Sequence, residues 1–259
     1  MLENILASFN NYPEFNASLG AGLLIFARFM GFIFMAPVLS RKDIPVLVKA
    51  SFALLMTITF IGILSPEAAP PGTSLFLSIV LNAIFGILIG YIGALIFATI
   101  NAAGDMVNTQ MGLSSAVMFD PASKEQSSVM GKLFGFIATI IFINVGGLYW
   151  MISAFHRSFE IFPVYGRNLP LEKILNMDYL ILLSGNVLFI GLQMAAPILI
   201  ATLAMDVILG IISKIAPQVN VFQFSFLFKP LIGAAIVIII LPLFINIIND
   251  YFLYYSKIY

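Results

Sequence analysis

The chain has 259 residues, of which 61% are hydrophobic and only 9% are charged, and its 12 basic and 12 acidic side chains give a formal net charge of zero. A soluble domain carries about 25% charged residues, so a soluble enzyme and a disordered protein are both excluded. The sequence contains no cysteine, which excludes disulfide scaffolds and thiolate metal sites. The low charged fraction predicts a membrane environment or burial by hydrophobic partners. Because no basic excess is present to neutralise phosphates, we expect no nucleic-acid partner.

Long apolar stretches predict the helices of this chain. A helix needs about 20 apolar residues to cross a bilayer core of about 30 Å. In chain order, the predicted helices are 15–39, 44–64, 74–106, 127–160, 177–214 and 227–255. The third and fifth exceed one span, since at roughly 1.5 Å per residue each would extend on the order of 50 Å. They therefore tilt, break or extend beyond the lipid into protein. Pro197 and Pro242 predict kinks in the fifth and sixth helices. The expected fold class is an all-α membrane protein with about six long, partly kinked apolar helices.

A stripe of small residues marks the predicted third helix. Small side chains at four-residue spacing let two helix backbones approach closely, which is how helices associate in lipid. Two interpretations are open, a packing seam within the chain or a contact with a partner subunit. The stripe consists of Gly86, Gly90, Ala94, Ala98 and Ala102.

A polar segment, 104–126, separates the third and fourth predicted helices. It is rich in small, polar and methionine residues, with Gly104-Asp105 at its start. Irregular backbone at membrane depth persists only where protein or a water-filled cavity surrounds it, and methionine fills irregular gaps. The segment is therefore either an ordinary surface loop or a deformable seal for a conduit.

Two ionisable residues interrupt apolar helices. Arg28 lies in the middle of the first predicted helix and Asp206 near the end of the fifth. An ionisable group inside an apolar segment is costly and needs a partner. Each could serve ion coupling or a subunit contact, or could be neutralised by an internal pair or by reaching the membrane interface.

No pattern indicates catalysis. The sequence contains one histidine, His156, and no nucleophile, zinc or phosphate-binding motif. We therefore expect no enzymatic activity, no metal and no cofactor.

Several short motifs, in order and spacing, resemble the FliR/SctT family of type III export-apparatus subunits over nearly the whole chain. Lys49 and Asp105 stand where that family often has Arg and Glu, so both charges are kept. The motifs are Arg28-x2-Gly31, Pro37, Pro45, Lys49, Gly86, Gly90, Ala103-Gly104-Asp105, Gln110-Met111-Gly112, Asp120-Pro121, Pro197, Asp206, Gly210, Ala216 to Phe222, Phe226 and Lys229.

The resemblance implies a non-enzymatic structural subunit of the flagellar type III export gate, in the bacterial inner membrane and flagellar basal body. It implies helical hairpins in a hetero-oligomer with FliP-like and FliQ-like subunits, through which unfolded flagellar proteins cross the membrane. Further implied partners are an FlhB-like switch protein and flagellar rod and basal-body components. The chain would be one domain, 1–259, with N-terminal helices over 1–176 and a FliQ-like hairpin over 177–255.

The same resemblance implies roles for particular residues. A channel plug is implied near 106–123, and the turn between the last two helices is implied to face the cytoplasm. The implied plug residues are Met106, Gln110, Met111, Gly112, Met118, Asp120 and Pro121. The implied structural or contact polar residues are Arg28, Lys49, Asp105, Asp206 and Lys229, and those of the cytoplasmic turn are Pro217, Gln218, Asn220 and Phe222.

A secondary transporter for a small solute is the alternative function. In such a carrier, Arg28 and Asp206 would be the coupling groups. A carrier is expected to show inverted repeats with matched broken helices. The sequence offers only a chance-level match, Ala36-Pro37 before Lys49 and Ala216-Pro217 before Lys229.

Overall fold

The computed structural model describes residues 13–64, 70, 74–115, 128–165 and 177–256, and all regular structure in these ranges is helical. This confirms the predicted all-α class. A short 3-10 turn, Leu113–Ser115, follows the third helix. The helices are α1 Pro13–Met35, α2 Val46–Leu64, α3 Leu75–Gln110, α4 Val129–Asn144, α5 Gly147–Ile161, α6 Met177–Ile215 and α7 Val221–Ser256.

Four helices, α2, α3, α6 and α7, are long and apolar enough to cross a membrane, and α4 with α5 adds a fifth span if the pair is counted as one broken span. The excess length predicted for two helices is confirmed, since α3 has 36 residues and α6 has 39. Pro197 lies inside α6, and Pro230 and Pro242 lie inside α7.

The predicted fourth helix, 127–160, is wrong as a single helix. It is divided between Asn144 and Gly147, and Gly146 has φ +81°. This left-handed conformation is accessible to glycine at no steric cost and ends a helix. The apolar pattern continues through the break, so only the pair Gly146-Gly147 signals it.

The predicted sixth helix also has a corrected boundary, because α7 begins at Val221 rather than at 227. The side chain of Asn220 accepts a hydrogen bond from the amide of Gln223 at 3.3 Å. Asparagine is a preferred N-cap because its side chain satisfies one of the free amides of the first turn. The boundary therefore follows from the cap and not from the apolar run.

The helices form two compact units. The first contains α1, α2, α3 up to Ala94, and α5 from Leu148; the second contains α3 from Leu95, α4, α6 from Asp178, and α7. The chain passes from one unit to the other within α3, after Gly147 and after Met177. The last of these points lies one residue from the predicted division at 176/177, but the second unit also contains residues 95–147. That division stays a prediction.

Phenylalanine rings and a glycine crossing hold the first unit together. Phe29 of α1 stacks on Phe155 of α5 with ring centroids 3.8 Å apart, and Phe60 of α2 meets Phe29 edge-on at 5.1 Å. Where α1 crosses α3, a Cβ added at Gly86 would lie only 1.9 Å from the carbonyl oxygen of Arg28. The two backbones are therefore in direct contact, and only glycine fits there.

Aromatic packing also fills the second unit. Phe134 of α4 lies 4.2 Å from Phe244 of α7, and Phe142 lies 5.4 Å from Phe252, measured between ring centroids. On α6, a Cβ added at Gly191 would lie 3.2 Å from the carbonyl oxygen of Thr99 on α3. The end of α3 is thus packed among α4, α6 and α7.

We expect Gly86→Ala to destabilise the first unit. The new methyl group would overlap backbone atoms of α1, and overpacking of this kind costs about 1–3 kcal/mol. The matched control is Gly62→Ala on α2, where an added Cβ meets nothing within 4 Å. The readout is the thermal unfolding midpoint of the protein in its native membrane, measured as the temperature at which half of it becomes insoluble. Equal midpoints for the two variants would contradict the described crossing.

Candidate functional site

The predicted plug segment, 106–123, begins inside a helix. α3 runs to Gln110 rather than ending at the predicted 106. Gln110 is therefore helical and its predicted placement in a loop is wrong, whereas Met106, the predicted last residue of the helix, lies inside it. Gly104 lies within the helix and brings α3 against α4, since a Cβ there would lie 2.6 Å from the Cα of Gly131. Glycine at a helix crossing does not end a helix.

The described part of the plug segment leaves α3 through a tight turn. The amide of Gly112 donates to the carbonyl of Thr109 at 3.0 Å, and Gly112 has φ +75°. The 3-10 turn Leu113–Ser115 follows. The predicted plug residues Met118, Asp120 and Pro121 lie outside the described residues.

Met111 is fixed by the last helix. Its side chain is 1% exposed, and a Cβ added at Gly233 of α7 would lie 2.6 Å from its Cγ and 2.9 Å from its sulfur. Methionine adapts well to such an irregular space. The side chain occupies the space left by the missing side chain of Gly233, so Met111 anchors the start of the plug segment.

Asp206 and Lys229, both predicted as polar contacts, form an ion pair between α6 and α7. Gln110 adds a long hydrogen bond from its Nε2 to Asp206 Oδ2 at 3.5 Å. Of the readings open for Asp206, the structure shows the internal neutralising pair. Because the Asp206 side chain is 41% exposed, the pair contributes little to stability, about 0–1 kcal/mol, and it chiefly orients the two helices beside Gln110.

Asn108 was missed by the sequence analysis. Its side chain is 6% exposed. Its Oδ1 accepts from the amides of Val129 at 3.1 Å and Met130 at 3.4 Å, and its Nδ2 donates to Ser114 Oγ at 3.0 Å. Nothing in the local pattern distinguishes Asn108 from the other polar residues of the segment, since its main partners lie 21 and 22 residues away.

Asp105 lies beside the start of α4. Its residue is exposed, and its Oδ1 would lie 2.6 Å from a Cβ added at Gly131. The position is close to the N-terminus of α4, where a negative charge is favoured by the helix dipole. The predicted structural role of Asp105 therefore has a physical basis at this contact.

Arg28 is fully buried in the first unit, with 0% exposure, and its guanidinium is held by neutral acceptors. Nε and Nη2 donate to Asn82 Oδ1 at 3.0 and 2.6 Å, Nη1 donates to Ser158 Oγ at 3.1 Å, and Nη2 also donates to the Phe162 carbonyl at 2.8 Å. The guanidinium carbon lies 3.9 Å from the ring centroid of Phe159. The planar fork of arginine suits this set of acceptors.

This environment differs from both neutralising mechanisms considered for Arg28. Among the described residues, no carboxylate forms an ion pair with it, and a side chain with no exposure does not reach an interface. Hydrogen bonds and the cation–π contact offset the cost of burial instead. Asn82 extends the network, since its Nδ2 donates to the Val164 carbonyl at 3.1 Å. Arg28 and Asn82 together fix the turn after α5.

Lys49 stabilises the connection between α1 and α2. Its ammonium donates to the carbonyls of Ser40 at 3.0 Å and Arg41 at 2.9 Å. Both carbonyls lie in the connection after α1, where the Arg41 carbonyl also accepts from the amide of Ile44 at 3.3 Å. These two hydrogen bonds are the contacts through which Lys49 would act as the predicted structural polar residue.

The small-residue stripe of α3 is not one continuous seam. Gly86 and Gly90 contact α1, since a Cβ at Gly90 would lie 2.6 Å from the carbonyl oxygen of Phe32. Ala94 and Ala102 are half-buried and Ala98 is exposed. The first half of the stripe is therefore a packing seam within the chain.

The turn between α6 and α7 is short and exposed. Pro217, Gln218 and Asn220 are exposed, and so is Phe222, at 70%. Phe222 packs edge-on against Phe226 with centroids 4.6 Å apart. Phe226 itself is half-buried, so Phe222 is the aromatic side chain of this pair that the turn leaves uncovered. Whether this turn faces the cytoplasm stays a prediction.

The described residues contain no group of three or more histidine or acidic side chains that could hold a metal ion. Their other notable feature is uncovered apolar surface: Leu47 is 79% exposed, Ile215 78% and Ile239 75%. These features define a helical membrane protein. Its helices are long and apolar, its buried polar side chains are hydrogen-bonded within the chain, and part of its apolar surface is uncovered.

Comparison with known sequences identifies the family. The family described as Bacterial export proteins, family 1, matches residues 19–254, and the chain belongs to it. It is 28% identical to flagellar biosynthetic protein FliR of Escherichia coli strain K12 over 218 residues, 83% of this chain and 82% of that protein. It is 27% identical to FliR of Bacillus subtilis strain 168, over 90% of each chain.

A third relative carries a different name. The chain is 25% identical to the surface presentation of antigens protein SpaR of Shigella flexneri, over 90% of this chain and 86% of that protein. The predicted resemblance to the FliR/SctT family is therefore confirmed.

We expect Arg28→Lys to lower the thermal unfolding midpoint strongly. A lysine ammonium cannot reach Asn82, Ser158 and the Phe162 carbonyl together, and each buried polar group left unsatisfied costs about 1–3 kcal/mol. The matched control is Arg41→Lys, since Arg41 is an exposed arginine paired with Asp43 at 3.5 Å. A similar midpoint for both variants would show that the buried network does not depend on the guanidinium.

Proposed function

We propose that this protein is a non-enzymatic structural subunit of the flagellar type III protein export apparatus in the bacterial inner membrane, at the flagellar basal body. The observation that carries the proposal is the family match over residues 19–254, together with flagellar relatives aligned over most of both chains. Its substrates are unfolded flagellar proteins, which pass through a channel that this chain helps to form.

The channel requires partner subunits, which we propose to be FliP-like and FliQ-like proteins. Large apolar side chains remain uncovered along α2, α6 and α7, of which Leu55, Phe189 and Ile238 are examples at 61%, 61% and 71% exposure. Lipid covers part of such a surface. The helices that exceed one span have apolar surface beyond the hydrocarbon core, and that part needs protein to cover it.

Within the assembly, we assign the plug segment, 106–123, to closing the channel. Support comes from its first residues: Met111 is packed on Gly233, and Gln110 contacts the Asp206–Lys229 pair. A closing element needs a fixed base, and these contacts supply one. The hairpin of α6 and α7 is assigned the FliQ-like role, with the turn at 216–220 placed beside an FlhB-like switch protein.

The secondary transporter has no supporting observation among the described residues. Arg28 is enclosed by neutral acceptors in the first unit, and Asp206 is paired with Lys229 in the second. Neither group is presented to a solute by its described contacts. A coupling role for these two residues is therefore not favoured by their geometry.

Co-expression tests the proposed assembly. We expect the chain, expressed with FliP-like and FliQ-like subunits, to purify as one stable hetero-oligomer and to support secretion of a flagellar substrate. Expressed alone, it is expected to aggregate in detergent, because its apolar surface lacks partners. A monodisperse single chain that moves a small solute into liposomes would overturn the proposal and favour the carrier.

Replacement of residues 116–123 by an equal number of glycine and serine residues tests the plug. This keeps the chain length and the described ends of the segment while removing Met118, Asp120 and Pro121. We expect the closed assembly to leak ions, measured as conductance in a planar bilayer. Wild-type conductance at equal amounts of assembled complex would refute the plug assignment and leave the export-subunit proposal to the secretion test.

A further inference from the structure

We infer that Asn108 is the positioning residue of the plug segment, because its single buried amide holds together the point where the chain leaves α3 and the point where it enters α4. We call Asn108, Ser114, Val129 and Met130 the neck. The geometry of the neck stands on described residues alone. Its consequence for channel closure rests on the proposed function.

The acceptor side of the amide caps α4. The first amides of a helix have no partner within the helix, and Asn108 Oδ1 accepts from those of Val129 and Met130 at 3.1 and 3.4 Å. Ser128 accepts from the next amide, that of Gly131, through its hydroxyl at 2.8 Å. The cap of α4 is therefore shared between its own N-cap residue and a side chain of α3.

The donor side of the same amide holds the departing chain. Asn108 Nδ2 donates to Ser114 Oγ at 3.0 Å, in the 3-10 turn that follows Gly112. With Asn108 only 6% exposed, water competes weakly for these bonds. One side chain thus contacts residues 114 and 129, which lie on the two sides of the connection from 115 to 128.

Two neighbouring contacts keep the neck in place. One turn earlier on α3, Gly104 is in backbone contact with Gly131, where a Cβ would lie 2.6 Å from Cα. Just after Asn108, Met111 is packed on Gly233. Because α3 is held against α4 on one side and α7 on the other, the amide reaches both of its partners, and the two ends separate only if its hydrogen bonds break.

The test compares ion leak per assembled complex in planar bilayers, with the amount of complex measured on a native gel. Asn108→Ala removes all three hydrogen bonds of the Asn108 amide, and we expect leak to increase by at least on the order of tenfold, the factor associated with losing a single buried hydrogen bond. A merely structural role would lower the amount of complex and leave the leak of each complex unchanged.

Two further variants act as rescue and control. Asn108→Asp keeps an acceptor for the α4 amides, where negative charge is favoured, and its second oxygen accepts from the Ser114 hydroxyl, so we expect leak near wild type. Thr109→Ala is the matched control, because Thr109 is exposed and its hydroxyl donates to the Asp105 carbonyl of its own helix at 2.9 Å. It is expected to leave the leak unchanged.

If Asn108→Ala does not assemble, Ser114→Ala decides, since it removes the hydroxyl of an exposed residue and only the donor side of the neck. A leak above that of Thr109→Ala supports the inference. If these neck variants show wild-type leak while the glycine–serine replacement of 116–123 leaks, the neck inference is refuted. The proposed plug is then still supported. If the replacement does not leak either, the plug itself fails and the neck inference fails with it.

Discussion

Polar groups inside this protein have to find their partners within the chain, because apolar surroundings supply no water to satisfy them. Among the described residues, every buried side-chain nitrogen and oxygen has a hydrogen-bond partner. Arg28 is the most demanding case, since a buried guanidinium collects acceptors from two other helices and from the turn that follows α5. The need to supply hydrogen-bond acceptors to the Arg28 guanidinium determines which helices meet around it. A few polar residues therefore fix the arrangement of many apolar ones.

Glycine brings the helices close enough for short polar side chains to reach their partners. At Gly86, α3 lies directly on the backbone of α1, one turn from Asn82, whose amide meets Arg28. At Gly104, α3 lies on α4, one turn from Asn108, whose amide caps that helix. The same pairing of a glycine contact with an asparagine four residues away occurs in both units. Close backbone approach and polar satisfaction are therefore two aspects of one packing solution.

Hydropathy predicted the helices well and their interruptions poorly. Apolar length depends on composition and is visible in any window, whereas the break at Gly146 depends on one left-handed residue inside a continuous apolar run. The third helix was predicted to end at 106, where polar residues begin to follow the apolar run, but α3 continues to Gln110, since polar residues such as Asn108 continue a helix when tertiary partners accept them. The sequence also identified Arg28 and Asp206 as needing partners. It could not pair them with their partners, since Ser158 lies 130 residues from Arg28 and Lys229, which pairs with Asp206, lies on the next helix.

Because the buried polar groups are satisfied internally, much of the described surface left for partner subunits is apolar. Lipid tails are as apolar as leucine, so burying such a surface against another helix gains little from the hydrophobic effect, and association depends on close packing of complementary shapes. Shape complementarity requires that each unit hold a fixed conformation before its partners arrive. The hydrogen bonds of Arg28 and Asn108 supply that rigidity from within. A subunit of this kind can therefore expose long apolar helices and still present them in a defined arrangement for assembly.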